Sequence, residues 1–124
     1  MTNSLGSTHT IRLGNRDFIL NREIRPTKAI KLDPKNQRVS FKLKDRKMVG
    51  EDKELHELLW GLDYVKELYQ SIYQNGGLIE DPIVSSDNVV VEGNCRIVAL
   101  RELSKKYKGD KRFSQLYVRV LPKD

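Results

Sequence analysis

The run Val89-Val90-Val91-Glu92-Gly93-Asn94-Cys95-Arg96 constrains the fold more than any other part of the 124-residue chain. Three consecutive β-branched residues read as a buried strand. A glycine then leads into a helix whose Ile97, Leu100, Leu103 and Tyr107 share one face. Lys108-Gly109-Asp110 ends that helix, and Leu116-Tyr117-Val118-Arg119-Val120-Leu121 reads as a closing strand. Strand, helix and strand in direct succession point to an α/β (α+β) domain, a small mixed sheet with helices packed on it.

The preceding sequence supplies the other layers. Leu55, Leu58, Leu59 and Leu62 recur at helical spacing within Glu51 to Leu62, where Gly61 weakens the end. Asp63 is expected to cap a second helix carrying Val65, Leu68, Tyr69 and Ile72, which stops at Asn75-Gly76-Gly77. These stripes, and Trp60, are read as core. Pro82-Ile83-Val84 is a short strand, followed by a turn at Ser85 to Asn88. Nearer the start, Thr10 to Leu13 and Asp17 to Leu20 flank Gly14-Asn15 as a short hairpin, and Arg25-Pro26 is expected to break it. Ala29-Ile30-Lys31-Leu32 alternates as a strand closed by Asp33-Pro34, and Val39 to Leu43 alternates as a strand or extended arm. The expected organisation is an N-terminal segment over residues 1–27, a short hairpin or arm, followed by one domain over 28–124.

Composition narrows the chemistry. Apolar residues make up 38% of the chain, enough for a modest core, and charged residues 32%. No window holds the about 18 consecutive apolar residues of a membrane span. The start, Met-Thr-Asn-Ser-Leu-Gly, has neither the basic nor the apolar region of a secretory signal. Cys95 is the single cysteine, so no internal disulfide forms, and a cytoplasmic location is expected. One cysteine with His9 and His56 does not make the set of about four ligands that structural zinc requires. The net charge of +6 is uneven: Lys35, Arg38, Lys42, Lys44, Arg46 and Lys47 form one basic segment, and Lys105 to Arg112 another. Such segments can attract a polyanion, but on charge alone a solvated surface is the favoured reading.

The turn after Val91 is the strongest chemical signal. A strand that passes through glycine into a helix aims backbone N–H groups at one point, at the positive end of the helix dipole. Gly93 removes the Cβ that would keep an anion away and tolerates positive φ. Asn94 is placed to cap the helix or to donate to a phosphate oxygen. Arg96 in the first turn offers a planar fork suited to phosphate. A cation there is mildly unfavourable for the helix alone, which fits a shared anion. Gly-Asn as an ordinary turn and cap is the commoner use of such a motif.

Four short motifs in order give this turn its context. Leu68, Ser71, Ile72 and Gly76 fit a Leu-x-x-Ser-Ile-x-x-x-Gly helix end, Pro82-Ile83 the x-Pro-Ile-x-Val strand, and Gly93 and Arg96 a Gly-x-x-Arg turn. Upstream, Asp33-Pro34-Lys35-Asn36-Gln37-Arg38 is similar to an Asn-Pro-x-x-x-Arg segment. Over about residues 28 to 121 the chain thus resembles the ParB N-terminal domain of the ParB/sulfiredoxin superfamily.

The resemblance implies a nucleotide, ATP, ADP or CTP, bound with Mg²⁺. Its phosphates would lie at Gly93, Asn94, Cys95 and Arg96, with Asn36 and Arg38 over it and Glu92 as a Mg²⁺ ligand. It further implies a DNA-linked system such as partition, a mobile element or defence. A homodimer or fusion to further domains is compatible with it, and a membrane partner is not expected. Some relatives are kinases or nucleases, and NTPase activity stays open. No clustered carboxylates of a two-metal site are visible in the sequence. Sulfiredoxin carries its catalytic cysteine directly after the glycine, where this chain has Asn94, so sulfiredoxin activity is not expected. Partition proteins usually carry an acidic residue at that same position, and Asn94 cannot serve as a general base. The chain stops just after Leu121-Pro122, so a helix-turn-helix of the partition type is expected to lie outside it. The alternative is a non-catalytic DNA-binding or protein-interaction module using the basic segments, Lys42, Lys44, Arg46 and Lys47 among them.

Overall fold

Extended, β-branched segments pair into one sheet. The computed structural model describes residues 8–13, 16–33 and 52–122. β1 (Thr8–Leu13) and β2 (Arg16–Pro26) form an antiparallel hairpin in which Leu13 faces Arg16. β2 runs on past the expected break and pairs along its second half with β5 (Gln115–Val120), from Asn21 opposite Val120 to Pro26 opposite Gln115. Proline is tolerated there because it sits at the strand's end. β3 (Ile83–Val84) lies parallel to β5, and β4 (Val90–Glu92) antiparallel to β3. The order among the described strands is β1-β2-β5-β3-β4, a mixed sheet.

Residues 29–32 depart from the expected strand. Pro26 leads into a 3-10 turn over Thr27–Ala29, and only Lys31 bridges the sheet, parallel to Val89. The alternation seen in the sequence is nevertheless real, since Ile30 and Leu32 are buried and Lys31 is exposed. The Thr27 hydroxyl donates to the Phe113 carbonyl at 2.6 Å, anchoring the turn against the far end of the chain. The expected strand or arm at Val39 to Leu43 lies outside the described residues.

The helices are α1 (Asp52–Trp60), α2 (Asp63–Asn75), α3 (Asn94–Lys106) and a single turn, α4 (Lys111–Ser114). Leu55, Leu58 and Leu59 of α1 and Val65 and Ile72 of α2 are buried, as their spacing predicts. Leu62, not Asp63, is the residue that caps α2, and no side chain caps it. Gly76 closes α2 in the left-handed region at φ 79°, its N–H reaching the Ile72 carbonyl at 3.0 Å. α3 is the central helix. Ile97, Val98, Ala99, Leu100 and Leu103 are all fully buried. Phe113 and the alternate β5 residues Leu116 and Val118 join the same core.

Polar contacts tie the layers together. On the other face of β5, the Arg22 guanidinium lies 3.6 Å over the Tyr117 ring, and Asp81 accepts from Arg22 at 2.8 Å and Arg119 at 3.1 Å. Between α1 and α3, Arg101 grips both carboxylate oxygens of Asp52, at 2.7 and 3.1 Å, and donates to the Ile30 carbonyl at 2.7 Å. The Leu32 N–H donates to the same Asp52 carboxylate at 2.7 Å. No helix among the described residues is long and apolar enough to cross a membrane.

Candidate functional site

β4 delivers the chain to Gly93, and the turn there decides the shape of the site. Gly93 has φ 116°, a left-handed conformation that side chains rarely adopt. A Cβ at this position would meet the Pro82 Cβ at 3.0 Å and the Arg96 guanidinium at 3.1 Å. The glycine is therefore needed twice, for the backbone angle and for the close approach of Arg96. Its carbonyl accepts the Ile97 N–H at 3.0 Å and starts α3.

In front of this turn opens a cleft of about 570 Å³. That is within the roughly 300–1,000 Å³ of small-molecule sites. Gly93 to Arg96 form one wall, Ser71 and Leu68 of α2 another, and Tyr64, Ile79 and Val91 an exposed apolar rim. Three residues of the α2 motif read from the sequence, Leu68, Ser71 and Ile72, thus line the cleft. Ile72, from the same motif, reaches the cleft from the core.

Arg96 is held across the mouth. Its Nη2 donates to Glu92 Oε1 at 3.0 Å, and its Nη1 donates to the Glu80 carbonyl at 3.3 Å, with the Glu80 carboxylate 3.5 Å away. Both glutamates are well exposed, their side chains at 65% and 81%, while that of Arg96 is at 18%. Glu80 had no visible role in the sequence, because its contact with Arg96 arises only when the loop after α2 folds back across the turn.

Asn94 does not take the capping role that was one of its two expected uses, since Gly93 holds the cap position and no side chain caps α3. It is the first residue of α3 and is almost fully buried. Its side-chain oxygen accepts the Asp33 N–H at 3.2 Å, and its amide nitrogen donates to the Asp33 carbonyl at 3.3 Å. It does not cap the helix, and it lines the cleft between Gly93 and Cys95. It also tethers the upstream segment to the start of α3, so Asp33 lies beside the turn. Asn36, Arg38, Lys42, Lys44, Arg46 and Lys47 lie outside the described residues. Cys95 is half-buried and lines the cleft.

A metal held by protein groups alone has no support here: no cluster of three His, Cys, Asp or Glu side chains among the described residues could hold one. Mg²⁺ is usually held by one or two carboxylates together with substrate phosphates and water. Glu92, and with it Glu80, fits that lesser demand.

Mixed sheet, covering helices and a glycine turn opening the central helix together define a small α+β domain. Its fold is that of a ParB N-terminal domain. A solved structure of a Pnob8-like ParB-N domain matches it with a TM-score of 0.51 at 12% identity, over 85% of this chain and 31% of that one. This chain therefore spans under a third of the length of the chain it matches. No protein-family model matches the sequence, and no curated protein matches it.

Proposed function

We propose that the chain is a ParB-like domain that binds a nucleotide in the cleft, with its phosphates at the Gly93–Arg96 turn. The observation that carries this reading is the cleft's construction. A cavity of nucleotide size opens onto a helix start where Gly93 clears the approach and Arg96 presents its guanidinium. Arg96 now pairs with two exposed carboxylates, and ion pairs of that kind contribute little. Incoming phosphate oxygens replace them at small cost and form stronger bidentate contacts. Glu92, once displaced, is positioned beside the phosphates to help hold Mg²⁺. The likeness to a ParB-N domain supports a role in a DNA-linked system.

Calorimetry with ATP, ADP, CTP and GTP in the presence of Mg²⁺ tests the proposal. Binding of at least one, weakened at least tenfold by Arg96→Ala, is expected. Absence of binding by all four, or an Arg96→Ala variant that binds as well as the parent, would refute it.

A further inference from the structure

Three elements converge where α3 ends. Tyr73, in the last turns of α2, places its ring 5.3 Å from that of Tyr107, just after α3, with 19° between their planes. Phe113 of α4 supports both, with ring centres 6.4 and 5.8 Å away. Phe113 is fully buried, whereas Tyr73 remains 42% exposed. The chain from Lys105 to Arg112 wraps this aromatic cluster with five exposed cations: Lys105, Lys106, Lys108, Lys111 and Arg112. Lys106 Nζ sits 5.7 Å from the Tyr107 ring centre, and the Arg112 guanidinium 5.0 Å from that of Phe113. Glu102 and Asp110 pair with Lys105 and Arg112. Lys105 and Lys106 complement the C-terminal dipole of α3, which accounts for their presence without a ligand. Lys108 and Lys111 lie beyond that helix and make no ion pair among the described residues.

We infer that this surface binds single-stranded nucleic acid, with a base stacked on Tyr73 and phosphates along Lys106, Lys108 and Lys111. An exposed aromatic ring among cations is the arrangement that single strands use, because their bases offer free π-faces to stack on. In a duplex those faces are covered by neighbouring bases, and an acidic peptide would use the lysines but leave Tyr73 idle. The surface's lysines lie at the end of α3 far from the Gly93 turn, roughly 20 Å along its 13 residues, while Tyr73 follows Ile72 of the cleft lining on α2. It stands whether or not the cleft takes a nucleotide.

Fluorescence anisotropy on the full chain tests this with labelled oligothymidine, its duplex with oligoadenine, and polyglutamate, each over a range of salt. Oligothymidine is expected to bind at least tenfold more tightly than the other two, and to weaken as salt rises. Tyr73→Leu keeps an apolar contact with Tyr107 and Phe113 and is expected to lower that affinity about tenfold, the loss of one stacked base. The triple variant Lys106→Gln, Lys108→Gln, Lys111→Gln should lower it about a hundredfold. Equal affinity for duplex or for polyglutamate, no binding of oligothymidine, or a folded Tyr73→Leu variant that binds normally overturns the inference. Should circular dichroism show that Tyr73→Leu does not fold, the surface lysine variant decides, and undiminished oligothymidine binding by it overturns the inference.

Discussion

Asn94 shows how one side chain changes role once its surroundings are known. Next to a glycine at a helix start it reads as a cap or a phosphate donor, and both uses are common for asparagine. The partner that claims it, the Asp33 backbone, lies 61 residues away, and nothing local announces that pairing. Asn94→Ala removes both hydrogen bonds at a buried position and is expected to cost about 1–3 kcal/mol. The urea midpoint should fall with little change in slope, and an unchanged midpoint would show the tether to be idle. Gly93 was legible for the opposite reason. A positive φ and a close approach are demands made by the turn itself, so the residue type carries the information locally.

At the scale of elements, helix periodicity foretold the buried faces of α1, α2 and α3, because each stripe packs as a unit. It failed at 29–32, where a 3-10 turn and one bridge replace a strand. Alternation reports which side chains are buried, and it does so here, but it does not report whether the backbone finds a pairing partner. The polar seam between α1 and α3 was also hidden, since its members are scattered over Asp52, His56, Arg101, Glu102 and Lys105. Burial works against the ionised carboxyl of Asp52, but hydrogen bonds from Arg101 and the Leu32 N–H outweigh it. Burial likewise opposes ionised Glu102, and hydrogen bonds from His56 and Lys105 outweigh it. Both carboxyls are thus held below their ordinary range. The unfolded chain then binds more protons in acid, so the seam's stabilisation is complete above about pH 4 to 5 and is lost as pH falls through the folded values. Thermal midpoints should hold steady between about pH 7 and 5 and decline below about pH 4. A double variant, Asp52→Asn with Glu102→Gln, should show a shallower acid decline; an identical decline would place the acid sensitivity elsewhere.

The whole molecule separates its tasks across the sheet. β1 forms one edge, while the cleft is built at the other by β4 with α2 and α3. A chain begun at residue 16 would leave β2 as an unpaired edge, and unpaired edges invite association with other strands. Such a truncation is expected to bind the same nucleotide as the full chain while sedimenting as larger species at high concentration. Monomeric sedimentation, or lost nucleotide binding in a folded truncation, would contradict this division. The order of motifs made the α+β class readable. The sheet order was not, because strands as short as β3 and β4 carry too few residues to specify their neighbours.

The hydrogen bond from the Leu32 N–H to Asp52 has an architectural consequence. It holds side by side two residues that are 20 positions apart in the sequence. Joining two fixed points costs entropy that grows slowly with contour length, by about 0.6 kcal/mol for each doubling. The hydrogen bonds at Asp52 and Asn94 offset that cost. With Asp33 fastened to Asn94, the start of α1 and the start of α3 are both pinned to one dipeptide, Leu32-Asp33.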